Sequence, residues 1–207
     1  NMEALLRSYI QQTQNLTFMF CGSKKHLMAD IFANEKKPFY SSTTFISLEK
    51  ISEVSYANFI RHHFNLDGRT IDDESIQFIL DWTRRHTYYT QQLCHTIFAN
   101  SDKNVTLDVV RAACGQLMKQ GEAVYLQYRQ MLTDKQWNYL IAVAKEGCVK
   151  QITASAFLKH HKIGTPSVSR RLAEALVEKG LLNDDVRIDG TTYTVSDVFF
   201  SHWLERL

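Results

Sequence analysis

The chain has 207 residues, with 24 Lys and Arg against 22 Asp and Glu, 44% hydrophobic residues and only two prolines. Such a composition buries enough apolar surface to offset the entropy of ordering, which excludes disordered, collagen-like and low-complexity classes. A net charge of +2 excludes nucleic-acid binding by bulk electrostatics, so any such binding has to come from a local patch.

Met2 to Gln12 carries Leu5, Leu6, Tyr9 and Ile10 at helical spacing. Leu16 to Cys21 is a short apolar run closed by Gly22, the pattern of a strand buried on both faces of a parallel sheet. Lys24 to Phe32 returns to helix, and Thr43 to Leu48 is a second strand candidate after the turn at Pro38. The first fifty residues therefore read as the end of a layered α/β domain. From Ser52 to Leu132 apolar stripes predict helices over Ser52–Phe64, Asp72–Trp82, Tyr88–Phe98, Thr106–Gln120 and Ala123–Leu132, a small bundle.

Thr133-Asp134-Lys135-Gln136 is a capping box that opens a helix ending at Gly147. A second helix is expected from about Thr153 to His160, and Thr165-Pro166 starts a third that stops at Lys179-Gly180. Gly190 between two β-branched runs marks a hairpin, with Asp189-Gly190 as one register for its turn. Three helices followed by a hairpin spell a winged helix-turn-helix. Its last stripe, Phe199, Phe200, Trp203 and Leu204, is expected to close that domain's core.

The longest apolar runs fall well short of the roughly 20 residues that a bilayer span needs. The first residues form no secretory leader, so a cytoplasmic location is expected, and Asn1 before Met2 suggests a piece of a longer chain. Cys21, Cys94, Cys114 and Cys148 lie far apart among apolar neighbours and read as buried free thiols. The pairs His62-His63 and His160-His161 point about 100° apart if both members are helical, so no metal is assigned.

No segment reads GxxxxGK[ST], no apolar strand ends in paired acids, and neither a GxSxG elbow nor an HExxH pair occurs. The chain by itself is not expected to be an enzyme. The order of its segments is nevertheless informative: Phe20-Cys21-Gly22-Ser23, Lys37-Pro38-Phe39-Tyr40, Tyr56-Ala57-Asn58-Phe59-Ile60, His86-Thr87-Tyr88-Tyr89 and Tyr193 to Leu204. This succession resembles the C-terminal part of the archaeal-type ATPases, P-loop proteins of the AAA+-related, STAND-like group. The resemblance implies a mainly α chain in three parts: 1–50, the remnant of an α/β P-loop domain; 51–132, a helical lid; and 133–207, a winged helix. It further implies that the intact protein binds ATP and Mg upstream, with no cofactor held by this fragment.

On that resemblance Ser23 stands at the first nucleotide sensor, although Gly22-Ser23 equally serves as turn and helix cap. Arg84-Arg85-His86-Thr87-Tyr88 stands where the family commonly reads Gly-Gly-His-Pro-Tyr, which leaves His86 and Tyr88 as the matching lid residues. The arginine pair departs from the pattern and reads either as a phosphate sensor or as a solvated surface. Tyr40-Ser41-Ser42-Thr43 also lacks the Gly-Arg that many members carry after the tyrosine.

In the winged unit Val168, Leu172, Ala175 and Leu176 share the buried side of the third helix, which turns Ser167, Arg170, Arg171 and Glu174 to solvent. Between Glu146 and Glu174 stand five cations, Lys150, Lys159, Lys162, Arg170 and Arg171, and no acid. That is the footprint of a recognition helix on a phosphate backbone. The wing, with Asp184, Asp185 and Asp189 against Arg187, has the opposite sign. DNA through the winged helix and a protein partner are therefore both expected readings, and a non-enzymatic DNA-binding regulator is the rival to the ATPase.

Overall fold

The structure is a computed structural model and describes residues 2–22, 25–46, 48–187 and 190–207. The chain forms two compact units, 1–49 and 50–207.

The first unit holds α1 (Met2–Gln12) and α2 (Lys25–Ala33). Its core is a small phenylalanine cluster in which Phe32 lies 5.1 Å from Phe20 and 5.4 Å from Phe39 between ring centroids, with the exposed Phe45 at its edge, 6.3 Å from Phe32. Lys37 adds ion pairs to Glu3 at 3.5 Å and Asp30 at 3.4 Å. Neither strand expected here is present: Leu16–Gly22 and the described part of 43–48 lie outside any ladder. A strand is defined by the neighbour it bonds, and these segments find none among the described residues. Leu16, Met19, Ile46 and Leu48 consequently stay exposed, as do Leu5 and Tyr9 of α1.

The second unit begins with α3 (Glu53–Leu66), whose N-cap Ser52 accepts a bond from the Ser55 amide at 3.2 Å. Tyr56, Ile60 and Phe64, one every four residues, form its buried stripe. Asp72 caps α4 (Asp73–Trp82) in the same way at 2.7 Å, and acids in the first turn suit the helix dipole. Next comes α5 (Thr87–Asn100), buried through Tyr89, Leu93 and Ile97. A short parallel ladder that the sequence pattern did not announce joins β1 (Thr70–Ile71) to β2 (Asn104–Val105).

The two helices expected between Thr106 and Leu132 are one, α6 (Leu107–Met131). Gly121 does not break it, because the Tyr125 ring lies over that glycine one turn on and occupies the space of a side chain. This helix feeds two cores, with Val110 to Met118 in the first and Tyr125 in the second.

The winged unit follows as expected. The capping box of Thr133 and Gln136 opens α7 (Asp134–Glu146), and α8 (Ser155–His160) and α9 (Pro166–Glu178) complete the helices. The antiparallel pair β3 (Leu182–Arg187) and β4 (Gly190–Val195) is the wing, with Arg187 opposite Gly190. The Asp189-Gly190 turn falls partly outside the described residues. The chain closes with α10 (Val198–Leu204), capped by Asp197. No helix among the described residues is long and apolar enough to cross a membrane.

Two of the four thiols depart from expectation. Cys114 is buried and Cys94 nearly so, and burial pushes both thiols up to about 12. Cys21 and Cys148 are exposed, since each stands outside a helix stripe.

Candidate functional site

Helix α9, the third of the winged unit, starts at Thr165, whose hydroxyl accepts from the Val168 amide at 3.4 Å, with Pro166 at the first helical position. Ser169, fully buried, pins the helix: its hydroxyl donates to the Ile152 carbonyl at 2.6 Å and lies 3.0 Å from the Tyr139 hydroxyl. With Ala173 and Leu176 also inside, Ser167, Arg170, Arg171 and Glu174 face solvent as the periodicity requires.

The outward face is mixed in sign. Burial, followed by the negative charges of Asp184 and Glu174, pushes the Tyr193 hydroxyl up, and Arg170 opposes them. The helix and the wing thus bring two acids to the same tyrosine as Arg170. Lys150, Lys159 and Lys162 are all exposed, and Lys150 and Lys162 line different depressions. Lys162 lines a depression of about 370 Å³ together with Lys135, Asn138, Ala142 and Lys145 of α7. Lys150 lines a separate one of about 550 Å³ with Glu146, Cys148 and His160. The sequence reading overlooked Lys135 and Lys145. Their signal was available, since 135, 138, 142 and 145 step along one face of a helix.

The turn between α4 and α5 has a different character. Thr83 ends α4, its hydroxyl 2.7 Å from the Ile79 carbonyl and 2.7 Å from the Thr90 hydroxyl. Arg84 and Arg85 then adopt φ values of +53° each, a left-handed conformation that favours glycine. This explains structurally why glycines suit these two positions. The Arg84 guanidinium bonds the Ser201 hydroxyl at 2.9 Å and pairs with Glu205 at 3.5 Å, so it faces α10 and is not simply a solvated surface group. His86 caps α5 and stands exposed beside Tyr89, ring centroids 4.9 Å apart; Tyr88 is also exposed. These two share one turn. Ser23 lies outside the described residues.

Helix α10 differs most from expectation. Its stripe does not close one core but is divided between two: Val198 and Phe199 enter the core formed by α3 to α6, Phe200 and Leu204 the winged core, and Trp203 packs on both. On the lid side Phe199 stacks on Trp82 at 5.2 Å and meets Tyr89 at 4.9 Å. On the other side Phe200 stacks on Tyr125 at 4.9 Å. His202 lies parallel to the Trp82 ring at 4.6 Å, with Nε2 2.8 Å from the Trp82 carbonyl and Nδ1 2.9 Å from Glu205. Adjacent residues of a helix point about 100° apart, so a helix in the groove between two bodies serves both.

Compared with known proteins, residues 123–206 match the family described as "Probable winged helix domain". No curated protein matches the chain. Among solved structures the whole chain superposes on a Walker-type ATPase of Pyrococcus abyssi with a TM-score of 0.64 and 15% identity, covering 100% of this chain and 57% of that one. At that identity the likeness is one of fold. The chain is mainly helical, and its residues 123–206 form a winged helix domain.

Proposed function

We propose that this chain is the lid and winged-helix part of an AAA+-related, STAND-like ATPase and passes nucleotide state from an upstream P-loop domain to DNA or a protein partner. The observation that carries the reading is the shared helix α10. Because Phe199 and Phe200 sit in different cores, a lid displaced by nucleotide carries the recognition helix with it. Two facts support the setting. The fold neighbour is a Walker-type ATPase of which this chain spans 57%. The first unit leaves Leu5, Leu16, Met19 and Ile46 exposed, apolar side chains that the rest of an α/β domain would cover.

These residues do not fit ATP and Mg by themselves. The chain carries no glycine-rich phosphate cradle, and Arg84 of the lid turn is committed to Ser201 and Glu205. What the chain offers a nucleotide is the exposed edge of that turn, His86 and Tyr88. The purified chain is expected to release no phosphate from ATP; turnover by it refutes the reading. The reading also requires a GxxxxGK[ST] segment encoded upstream in the same reading frame.

For the output, the depression lined by Lys135, Lys145 and Lys162 favours a polyanion, and the acids beside Tyr193 keep the affinity low. Fluorescence anisotropy with a DNA duplex at low ionic strength is expected to show binding that falls steeply with salt, is weakened in K135A/K145A/K162A if it uses this depression, and is lost in R170A/R171A if it uses the outward face of α9. Partner capture that survives the double change favours a protein-docking role for the same face.

A further inference from the structure

His160 and His161 read as divergent when both are placed on one helix, but α8 stops at His160 and His161 is its cap, with φ −97° and ψ 6°. The rings meet edge to face at 4.6 Å. The end of α7 arrives at the same place: Glu146 is its last residue, and the His161 Nε2 lies 2.8 Å from Glu146 Oε1. One ligand atom from each of Glu146, His160 and His161 lies within 4.8 Å of the other two. His161 is held in place by its cap bond to the Phe157 carbonyl and by ring contact with Phe157 at 5.0 Å. The exposed Glu146 and His160 have room to adjust.

We propose that Glu146, His160 and His161 bind one zinc ion, with water in the fourth position. Two imidazoles and a carboxylate are a borderline-soft donor set that suits zinc, and three protein ligands with an open fourth position are a recurrent zinc arrangement. Bonds of about 2.1 Å at tetrahedral angles separate ligand atoms by about 3.4 Å, so the 2.8 Å bond widens slightly and the His160 atom draws inward. Zinc takes the place of the hydrogen bond between His161 Nε2 and Glu146 Oε1: the neutral ring offers its Nε2 lone pair to the ion and carries its one proton on Nδ1. The C-terminal end of the thirteen-residue α7 directs its partial negative charge to this point, which favours a cation. Lys150 lines the same depression and opposes it, but at an exposed position that water and salt screen.

Isothermal titration of the 207-residue chain with zinc chloride is expected to give one ion per chain, and cobalt in its place the visible absorption of a tetrahedral site. E146Q and H160A change exposed groups and keep the fold, checked by circular dichroism. Each is expected to weaken zinc at least about tenfold, the loss that even outer-shell changes bring. H62A/H63A, at the other adjacent histidine pair, and C148S are expected to bind as the parent does. Absence of binding, or equal affinity in E146Q and H160A, overturns the site. Loss of zinc in C148S overturns the three-donor assignment.

Discussion

Replacing Phe199 by alanine tests the claim that the lid and the winged helix are one mechanical body. Phe199 is buried on the lid side of α10, between Trp82 at 5.2 Å and Tyr89 at 4.9 Å. Removing a buried phenylalanine ring forfeits about 1.5–3 kcal/mol of transfer free energy. Two ring pairs add about 0.5–1.5 kcal/mol each, for a total of about 2.5–6 kcal/mol that brackets the roughly 3–5 kcal/mol typical of such truncations. For a chain of this size that lowers Tm by roughly 6–20 °C. The distinctive outcome lies in cooperativity. Trp82 reports on the lid, and Trp137 belongs to the winged core. In the parent, denaturant melts followed by tryptophan fluorescence and by circular dichroism are expected to coincide through residues 50–207; in F199A the lid is expected to melt first. A loss below about 1 kcal/mol in F199A, or separate lid and wing transitions already in the parent, refutes the reasoning.

The lid turn makes Arg85→Gly a stabilising change. It relieves a left-handed residue at a cost of about 1–2 kcal/mol and returns part of that through unfolded-state entropy, so urea melts are expected to show a gain of about 0.5–1 kcal/mol. R84G is expected not to gain, because it gives up the bond to Ser201. In α6, G121A drives a methyl to 2.4 Å from the Tyr125 ring, which is held by Phe200 and Trp203. Overpacking outweighs the helix-propensity gain, and a net loss of about 1 kcal/mol is expected, whereas G115A, with open space around it, gains about as much. Burial alone raises Glu205, yet His202, Arg84 and Ser201 together hold its carboxyl below the usual 4.5. Its folded value is depressed, so its contribution is present above the ordinary carboxylate range and is lost as pH falls through the folded value. E205Q is expected to flatten that acid limb in melts taken across pH 3–5.

What was legible in the sequence follows physical locality. Helix stripes and caps are written within four residues, so Ser52, Asp72, Thr133 and Thr165 announced their helices correctly. Leu16–Cys21 has the composition of an inner strand, but a strand depends on a neighbour that composition cannot supply. The division of α10 between two cores was hidden for the same reason: the spacing of Phe199, Phe200, Trp203 and Leu204 records what is apolar, not which body each ring meets. At the candidate sites, the outward face of α9 was readable from periodicity. The Glu146–His160–His161 cluster was not, because it depends on where α8 stops and on a helix fourteen residues upstream. Arg84 and Arg85 carry no local sign of their left-handed backbone; only the chain reversal between α4 and α5 demands it.

The unbroken run of α6 has a geometric consequence. Twenty-five residues at 1.5 Å each make a strut of about 37 Å, anchored by Val110 to Met118 at one end and by Tyr125 toward the other. Tilting such a rod by about 5° at its near end sweeps its far tip through roughly 3 Å, close to the spacing of successive base pairs along a duplex. On the function proposed above, a small angular change at the near end becomes, by leverage alone, a shift of register for a partner bound at the winged end.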